Sequence, residues 1–154
     1  DSIYLYRVNE ESVTFRYKEN LMPVWISIAA DFNRFMADRG IQGDYGDWTA
    51  LHIFFGSFFL VKQELQFKKK GIREGTRVMK KYGKDPLVKE SMAALAKGRY
   101  INEISASSWR VMIRAASVVF HLRAYFLFTA GIALLRKLRV DGRITDFRNK
   151  KEKS

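Results

Sequence analysis

The sequence predicts a mainly α-helical protein with a short extended arm or hairpin at its N-terminus. Apolar residues recur at helical spacing through most of the chain, whereas alternation with period two is confined to residues 3–18. Two long apolar runs, over 48–61 and 111–135, indicate further helices. We expect four helices, at about 22–39, 48–82, 86–97 and 107–138. They lie between an arm over 1–20 and a basic tail over 141–154, in one helical domain over 21–140.

The N-terminal arm combines two alternating segments. Residues 3–8 and 12–18 alternate apolar and polar side chains, and Asn9, Glu10 and Glu11 supply a turn between them. This pattern predicts a β-hairpin. Because a hairpin alone is marginally stable in water, the alternative is an extended arm that is ordered only by a partner.

Two of the helices have sequence signals at their ends. Pro23 suits a first helical position and Gly40 a helix end, and the same holds for Asp85–Pro86 and Gly98. The helix over 22–39 is expected to bury one apolar stripe in the chain or in a membrane interface. That stripe is Val24, Trp25, Ile28, Phe32, Phe35 and Met36, with Asp31, Arg34 and Asp38 expected opposite.

The helix over 48–82 changes character along its length. Residues 48–61 carry no acidic, lysine or arginine side chain. A helix of this length covers roughly 21 Å, whereas a bilayer core needs about 30 Å, so the run predicts a buried, re-entrant or interfacial helix. The continuation is strongly basic and is expected to fray near Gly71 and Gly75. Its candidate polyanion-binding residues are Lys68, Lys69, Lys70, Arg73, Arg77, Lys80 and Lys81.

The helix over 107–138 is the most informative segment. It is apolar and long, yet it carries Arg114, His121 and Arg123. A cation within the hydrocarbon of a bilayer needs protein groups, lipid headgroups or water beside it. It is either a membrane-associated helix whose basic stripe meets lipid phosphate or an acidic helix, or a soluble helix with one solvated basic face. We favour the membrane, and a membrane-associated helical domain over 21–140. The candidate lipid-binding residues are Arg110, Arg114, Arg123, Arg136, Lys137 and Arg139.

Composition points to anionic partners. The 154 residues carry a formal net charge of +12, and a surplus of that size attracts nucleic acid or anionic lipid. The mean hydropathy of −0.23 shows that apolarity is concentrated in patches. No catalytic chemistry is visible. The chain has no cysteine, its only histidines are His52 and His121, and Asp44, Asp47 and His52 do not make a convincing metal set. We expect neither enzymatic activity nor a metal site.

The layout of residues 98–139 resembles a family. Gly98-Arg99-Tyr100, a linker, an apolar helix from Val111 to Leu135 and then Arg136-Lys137-Leu138-Arg139 are similar to small accessory subunits of mitochondrial energy-transducing complexes, the ATP synthase f-type subunit among them. The resemblance implies a non-catalytic accessory subunit of the mitochondrial inner membrane, most plausibly of ATP synthase. Its partners would be other subunits and anionic lipid, with bound cardiolipin as the one associated molecule and no other cofactor.

A second hypothesis is a soluble, basic, helical RNA- or ribosome-associated protein. In that case the basic segment over 62–84 follows a phosphate backbone, and counterion release supplies the affinity. Phe67, Tyr82 and Tyr100 are then candidates for stacking on bases. Nucleic acid is a partner only under this hypothesis.

Overall fold

The computed structural model describes residues 17–41, 45–67, 71–104 and 106–138. These residues form six α-helices and no strand, so the mainly α prediction is confirmed. Residues 1–16 of the expected arm over 1–20, and the whole of the expected tail over 141–154, lie outside the described residues. The helices are α1 (Leu21–Asp38), α2 (Gly46–Phe67), α3 (Ile72–Tyr82), α4 (Pro86–Ala96), α5 (Ser107–His121) and α6 (Tyr125–Lys137), with a short 3₁₀ helix at Ile101–Glu103.

Two of the four expected helices are each two helices. The expected helix over 48–82 ends at Phe67, and α3 starts at Ile72 after Gly71, whose ψ of 178° is extended rather than helical. Glycine destabilises the interior of a helix. The expected continuous helix is therefore interrupted, and a separate helix begins after Gly71. The expected helix over 107–138 turns at Arg123, whose φ is +60°. This turn lets Phe120 of α5 pack edge-to-face on Phe128 of α6.

The helix α2 lies at the centre of the fold and contacts α1, α3, α4 and α6. Its residues over 50–61 are apolar around most of the helix, as expected for a helix that neighbours surround. Ile53, Phe54 and Val61 are among the most deeply buried side chains. Of the buried, re-entrant and interfacial alternatives for this run, the structure shows the buried one. The helix α6 packs directly on α2, whereas α5 packs mainly on α4.

The helix α1 buries a different face from the one expected. Met22 and Ala29 are fully buried, and Trp25, Phe32 and Met36 are partly buried. Val24, Ile28 and Phe35 are about half exposed instead, and Asp31 is exposed beside them rather than opposite. At 3.6 residues per turn, positions 24, 28, 31 and 35 share a face. The rest of the chain therefore covers only part of the expected six-residue stripe, because that stripe spans two neighbouring faces of α1.

A close helix crossing joins α3 to α6. A Cβ atom added at Gly75 would lie 2.8 Å from Cγ2 of Thr129, so only glycine allows this approach. Thr129 is fully buried, and its hydroxyl donates to the carbonyl of Tyr125 at 2.8 Å. The crossing therefore fixes α6 on α3.

The residues before α1 are held on the end of α2. The side chain of Gln63 pairs with the backbone of Lys18 in both directions, accepting from its N–H at 2.8 Å and donating to its carbonyl at 2.9 Å. The Tyr17 hydroxyl donates to Glu64, which is 3% exposed, at 2.6 Å. The described end of the expected arm is thus ordered by α2 of the same chain.

Candidate functional site

The turn between α5 and α6, here called the elbow, has a defined hydrogen-bond pattern. The N–H of Arg123 donates to the carbonyl of Phe120 at 2.8 Å, and the N–H of Ala124 donates to that of Val119 at 3.0 Å. These two bonds are those of a Schellman motif, which needs one residue in the left-handed conformation. Arg123 is that residue, with φ +60°. A left-handed non-glycine residue costs roughly 1–2 kcal/mol.

Two other helices of the chain end with the same motif, and both use glycine. At the end of α1, Gly40 has φ +59°, and its N–H donates to the carbonyl of Ala37 at 3.0 Å. At the end of α4, Gly98 has φ +83°, and its N–H donates to that of Leu95 at 3.0 Å. Arg123 is therefore the one non-glycine residue at the left-handed position of these three helix ends. Tyr100, with φ +63°, is also left-handed, but it precedes the 3₁₀ helix and does not end an α-helix.

Helices α5 and α6 each expose an apolar stripe. On α5 the stripe is Val111, Ala115, Val118 and Leu122, and on α6 it is Leu127, Gly131, Leu134 and Leu138. Both follow the spacing i, i+4, i+7, i+11 of one helix face. Val111 and Leu122 are 71% exposed, and Leu127 and Leu138 are 59% and 62% exposed.

A groove of about 310 Å³ joins the two stripes. Ala115 lines it from α5, Leu127, Gly131 and Leu134 line it from α6, and Phe54 and Phe58 of α2 also contribute. Each stripe thus contributes to the lining of one groove, and the two stripes together are here called the apolar face. Neighbouring exposed apolar side chains of this kind are typical of interaction sites.

The six cations proposed to contact lipid do not act alike. The Nε–H of Arg110 donates to the carbonyl of Ile104, and Nη1 of Arg136 donates to that of Leu65 at 2.7 Å. Arg136 thereby satisfies a carbonyl in the last turn of α2. Arg114, Arg123 and Lys137 are exposed and make no ion pair in the part of the chain that the structure describes. Arg139 lies outside the described residues.

The segment that carries the apolar face has charged side chains of one sign. No aspartate or glutamate occurs between residues 104 and 140. Helical spacing places Arg110 and Arg114 about 90° around α5 from its stripe, beside the apolar surface rather than within it. The face is thus apolar with a basic margin, an arrangement that suits contact with an anionic, amphipathic surface.

The candidate polyanion-binding residues occupy α3. Arg73, Arg77, Lys80 and Lys81 are all exposed there, whereas Lys68, Lys69 and Lys70 lie outside the described residues. Arg77 forms a loose, exposed ion pair with Glu74 at 3.9 Å. These exposed cations form a solvated basic patch on α3, where Nζ of Lys81 lies 5.1 Å from the centre of the Tyr82 ring.

His52 packs between two indole rings. Its ring lies 4.3 Å from that of Trp25 and 4.7 Å from that of Trp48, stacked on both. Burial lowers the pKa of His52 below its ordinary value of 6.5, and a hydrogen bond from Nε2 to the carbonyl of Trp25 partly opposes that shift. Across the described ranges, no group of three or more His, Asp or Glu residues is placed to hold a metal ion.

Sequence reasoning missed two features of this site. It did not find the elbow, because Arg123 lacks the glycine or proline that usually indicates a helix end. It also did not find the apolar face, although the i, i+4, i+7, i+11 spacing of both stripes is visible in the sequence. None of the described helices has both the length and the apolarity that crossing a bilayer requires.

The chain is thus an α-helical protein that carries an exposed apolar face with a basic margin. Comparison with protein-family models, with curated proteins and with solved structures finds no match to it.

Proposed function

We propose that this protein is a non-catalytic accessory subunit that lays the apolar face of α5 and α6 on an anionic lipid membrane. The resemblance of residues 98–139 supports a more specific form of this proposal. In that form the membrane is the mitochondrial inner membrane, the complex is ATP synthase or a related energy-transducing complex, and the anionic lipid is cardiolipin.

The observation that carries the proposal is that exposed apolar side chains and cations occur together in a segment without carboxylates. Leu127 and Leu134 are more than half exposed on the same groove, and the surrounding 104–140 segment holds no carboxylate. Helices that lie in a membrane interface show this combination, because apolar burial and attraction to anionic headgroups act together. Each cation near the surface contributes about 1 kcal/mol.

Vesicle co-sedimentation tests the proposal. We expect the protein to bind phosphatidylcholine vesicles that contain cardiolipin much more strongly than pure phosphatidylcholine vesicles. In the double variant Leu127→Gln/Leu134→Gln, each lost contact removes about 1–1.5 kcal/mol of apolar burial. Binding is therefore expected to fall roughly 30- to 150-fold.

The helix α1 offers a matched control. Val24 and Ile28 are 51% and 46% exposed, but their face includes Asp31, so it is not expected to meet an anionic surface. Val24→Gln/Ile28→Gln should leave vesicle binding unchanged. Equal loss in both double variants, or equal binding to neutral and anionic vesicles, would contradict the proposed surface.

The basic patch on α3 favours a second candidate function, a soluble RNA- or ribosome-associated protein. Exposed Arg77 and Lys80 match the chemistry of phosphate contacts. If this function is correct, RNA affinity falls steeply with salt and weakens in Arg77→Gln/Lys80→Gln, while Leu127→Gln/Leu134→Gln has no effect. The double variant Leu127→Gln/Leu134→Gln therefore tests lipid binding, and the double variant Arg77→Gln/Lys80→Gln tests RNA binding.

Membership of a complex needs its own experiment. We expect the protein to remain with membranes during fractionation and to co-purify, in mild detergent, with subunits of an energy-transducing complex. Loss of these subunits in Leu127→Gln/Leu134→Gln, but not in Val24→Gln/Ile28→Gln, would tie assembly to the apolar face. Purification as a lone soluble chain would contradict membership.

A further inference from the structure

A second cavity lies beside the elbow, between α4 and the turn that joins α5 to α6. It measures about 510 Å³, and its lining includes Lys89, Glu90, His121, Arg123 and Tyr125. It shares no lining residue with the apolar groove. Unlike that groove, it is bordered by three basic side chains, from two separate parts of the chain. We call it the elbow cleft.

One wall of the elbow cleft is closely packed. The ring of Tyr125 meets that of Phe120 edge-to-face, with centroids 5.1 Å apart. The same ring lies directly on the backbone of Gly83, where an added Cβ would be 2.6 Å from the tyrosine hydroxyl oxygen. The position of the Tyr125 hydroxyl, a hydrogen-bond donor and acceptor, is therefore fixed by packing.

The basic side chains that line the cleft come from α4 and from the elbow. Lys89 comes from α4, His121 is the last residue of α5, and Arg123 is the left-handed residue of the elbow. Glu90 also lines the cleft and is its only carboxylate. A guanidinium group, an ammonium group and an imidazole together supply the donors that phosphate oxygens accept.

The conformation of Arg123 is an independent observation that points to function. The two equivalent helix ends of this chain use Gly40 and Gly98, whereas the elbow keeps an arginine in a conformation that arginine disfavours. Backbone strain of this kind concentrates at ligand-binding positions. A glycine at position 123 would adopt this conformation without backbone strain. The presence of an arginine therefore indicates a role for its side chain.

We propose that the elbow cleft binds the phosphate group of a phosphate ester. Arg123 and Lys89 contact the phosphate oxygens, and His121 and the Tyr125 hydroxyl complete the donor set. Glu90 opposes the anion and is available to accept from a hydroxyl group of the esterified alcohol. The ligand is either the headgroup of a phospholipid or a free phosphate ester, and this site stands independently of the apolar face.

The decisive variant is Arg123→Gly, because it removes the cation and suits the backbone. We expect its thermal midpoint to rise by about 2–4 °C. Binding of glycerol 3-phosphate, measured by calorimetry on the full chain, is expected to weaken tenfold or more, which corresponds to about 1.4 kcal/mol. Arg34→Gln, which removes another exposed arginine, from α1, should leave this binding unchanged.

Glu90→Gln provides a test of opposite sign. Removing the only carboxylate that lines the cleft is expected to tighten phosphate binding several-fold. Glycerol 3-phosphate binding that weakens in Arg123→Gly and tightens in Glu90→Gln would establish a site for free phosphate esters. If only phosphatidic acid vesicles respond to these two variants, the site takes a lipid headgroup.

Two results would overturn the proposal. One is that neither glycerol 3-phosphate nor phosphatidic acid vesicles distinguish Arg123→Gly from the wild type. The other is that Arg34→Gln weakens binding as much as Arg123→Gly does, which would show that the loss of net charge alone causes the effect. Leu127→Gln/Leu134→Gln, which tests the apolar face, is expected to keep full affinity for glycerol 3-phosphate, so the two proposals fail separately.

Discussion

Adding a methyl group at Gly75 tests how α3 and α6 pack. The Cβ atom of Gly75→Ala would lie 2.8 Å from Cγ2 of Thr129 and 3.8 Å from Cγ1 of Val61. The first distance is far below van der Waals contact. Because Thr129 is fully buried, its side chain cannot move away from the added methyl group. Overpacking of this kind costs about 1–3 kcal/mol.

Gly75→Ala also has a stabilising effect, which must be measured separately from the overpacking. Replacing glycine by alanine inside a helix gains about 1 kcal/mol. Gly131→Ala in α6 isolates this gain, because an added Cβ there meets nothing within 4 Å. We expect Gly131→Ala to stabilise the protein by about 1 kcal/mol and Gly75→Ala to lie about 1–3 kcal/mol below it.

Equilibrium unfolding in urea measures both variants, provided that the m value stays constant. Thr129→Ser should rescue Gly75→Ala, because it removes the obstructing methyl group and keeps the hydroxyl that donates to Tyr125. The double-mutant cycle is expected to show a favourable coupling of about 1–2 kcal/mol. If Gly75→Ala stabilises the protein as much as Gly131→Ala, and the coupling is absent, α3 and α6 do not cross at this point.

Three further predictions concern buried polar groups. Ser117 is fully buried, and its hydroxyl has no hydrogen-bond partner among the described residues. Ser117→Ala should therefore raise the free energy of unfolding by about 0.5–1 kcal/mol in urea titration. Because burial lowers the pKa of His52 below 6.5, the unfolded chain binds its proton more readily. The stability that neutral His52 provides is lost as the pH falls below about 6.5, and His52→Gln should remove that part of the pH dependence measured between about pH 7 and about pH 5. Gln63→Ala should release the backbone of Lys18, with faster exchange of its amide hydrogen and a loss of about 1–2 kcal/mol; unchanged exchange would place the hydrogen bonds of Lys18 elsewhere.

The parts of the fold that the sequence predicted are those that depend on local chemistry. Asp85 caps α4 by accepting from the N–H groups of Leu87 and Val88 at 2.9 and 3.3 Å, and Pro86 is its first residue, as its position indicated. Gly98 ends the same helix in a left-handed conformation. These signals act within a few residues, so they can be recognised without knowledge of the fold.

The remainder depends on contacts between distant parts of the chain. Arg136, a candidate lipid contact, also donates to the carbonyl of Leu65, which is 71 positions away, and no local sequence pattern indicates that bond. Likewise, the spacing of α1 showed which residues share a face, but the packing of α2 decides that Trp25 is partly buried and Val24 exposed. Periodicity identifies an apolar face, and only the neighbouring helices determine whether that face is covered.

The elbow shows most directly how one residue conformation changes the interpretation of the longest apolar segment. Val111 and Leu127 begin the two stripes and are 16 residues apart. In one straight helix of 100° per residue, the stripes would point about 160° apart, and the segment would be apolar on opposite sides. Such a helix resembles a membrane span, which is how the sequence first suggested a membrane location. Because the chain turns at Arg123, both stripes border one groove, and the cation at the turn lies in the neighbouring elbow cleft. The same left-handed residue therefore brings residues of both stripes to one groove and sets a guanidinium group in the neighbouring cleft.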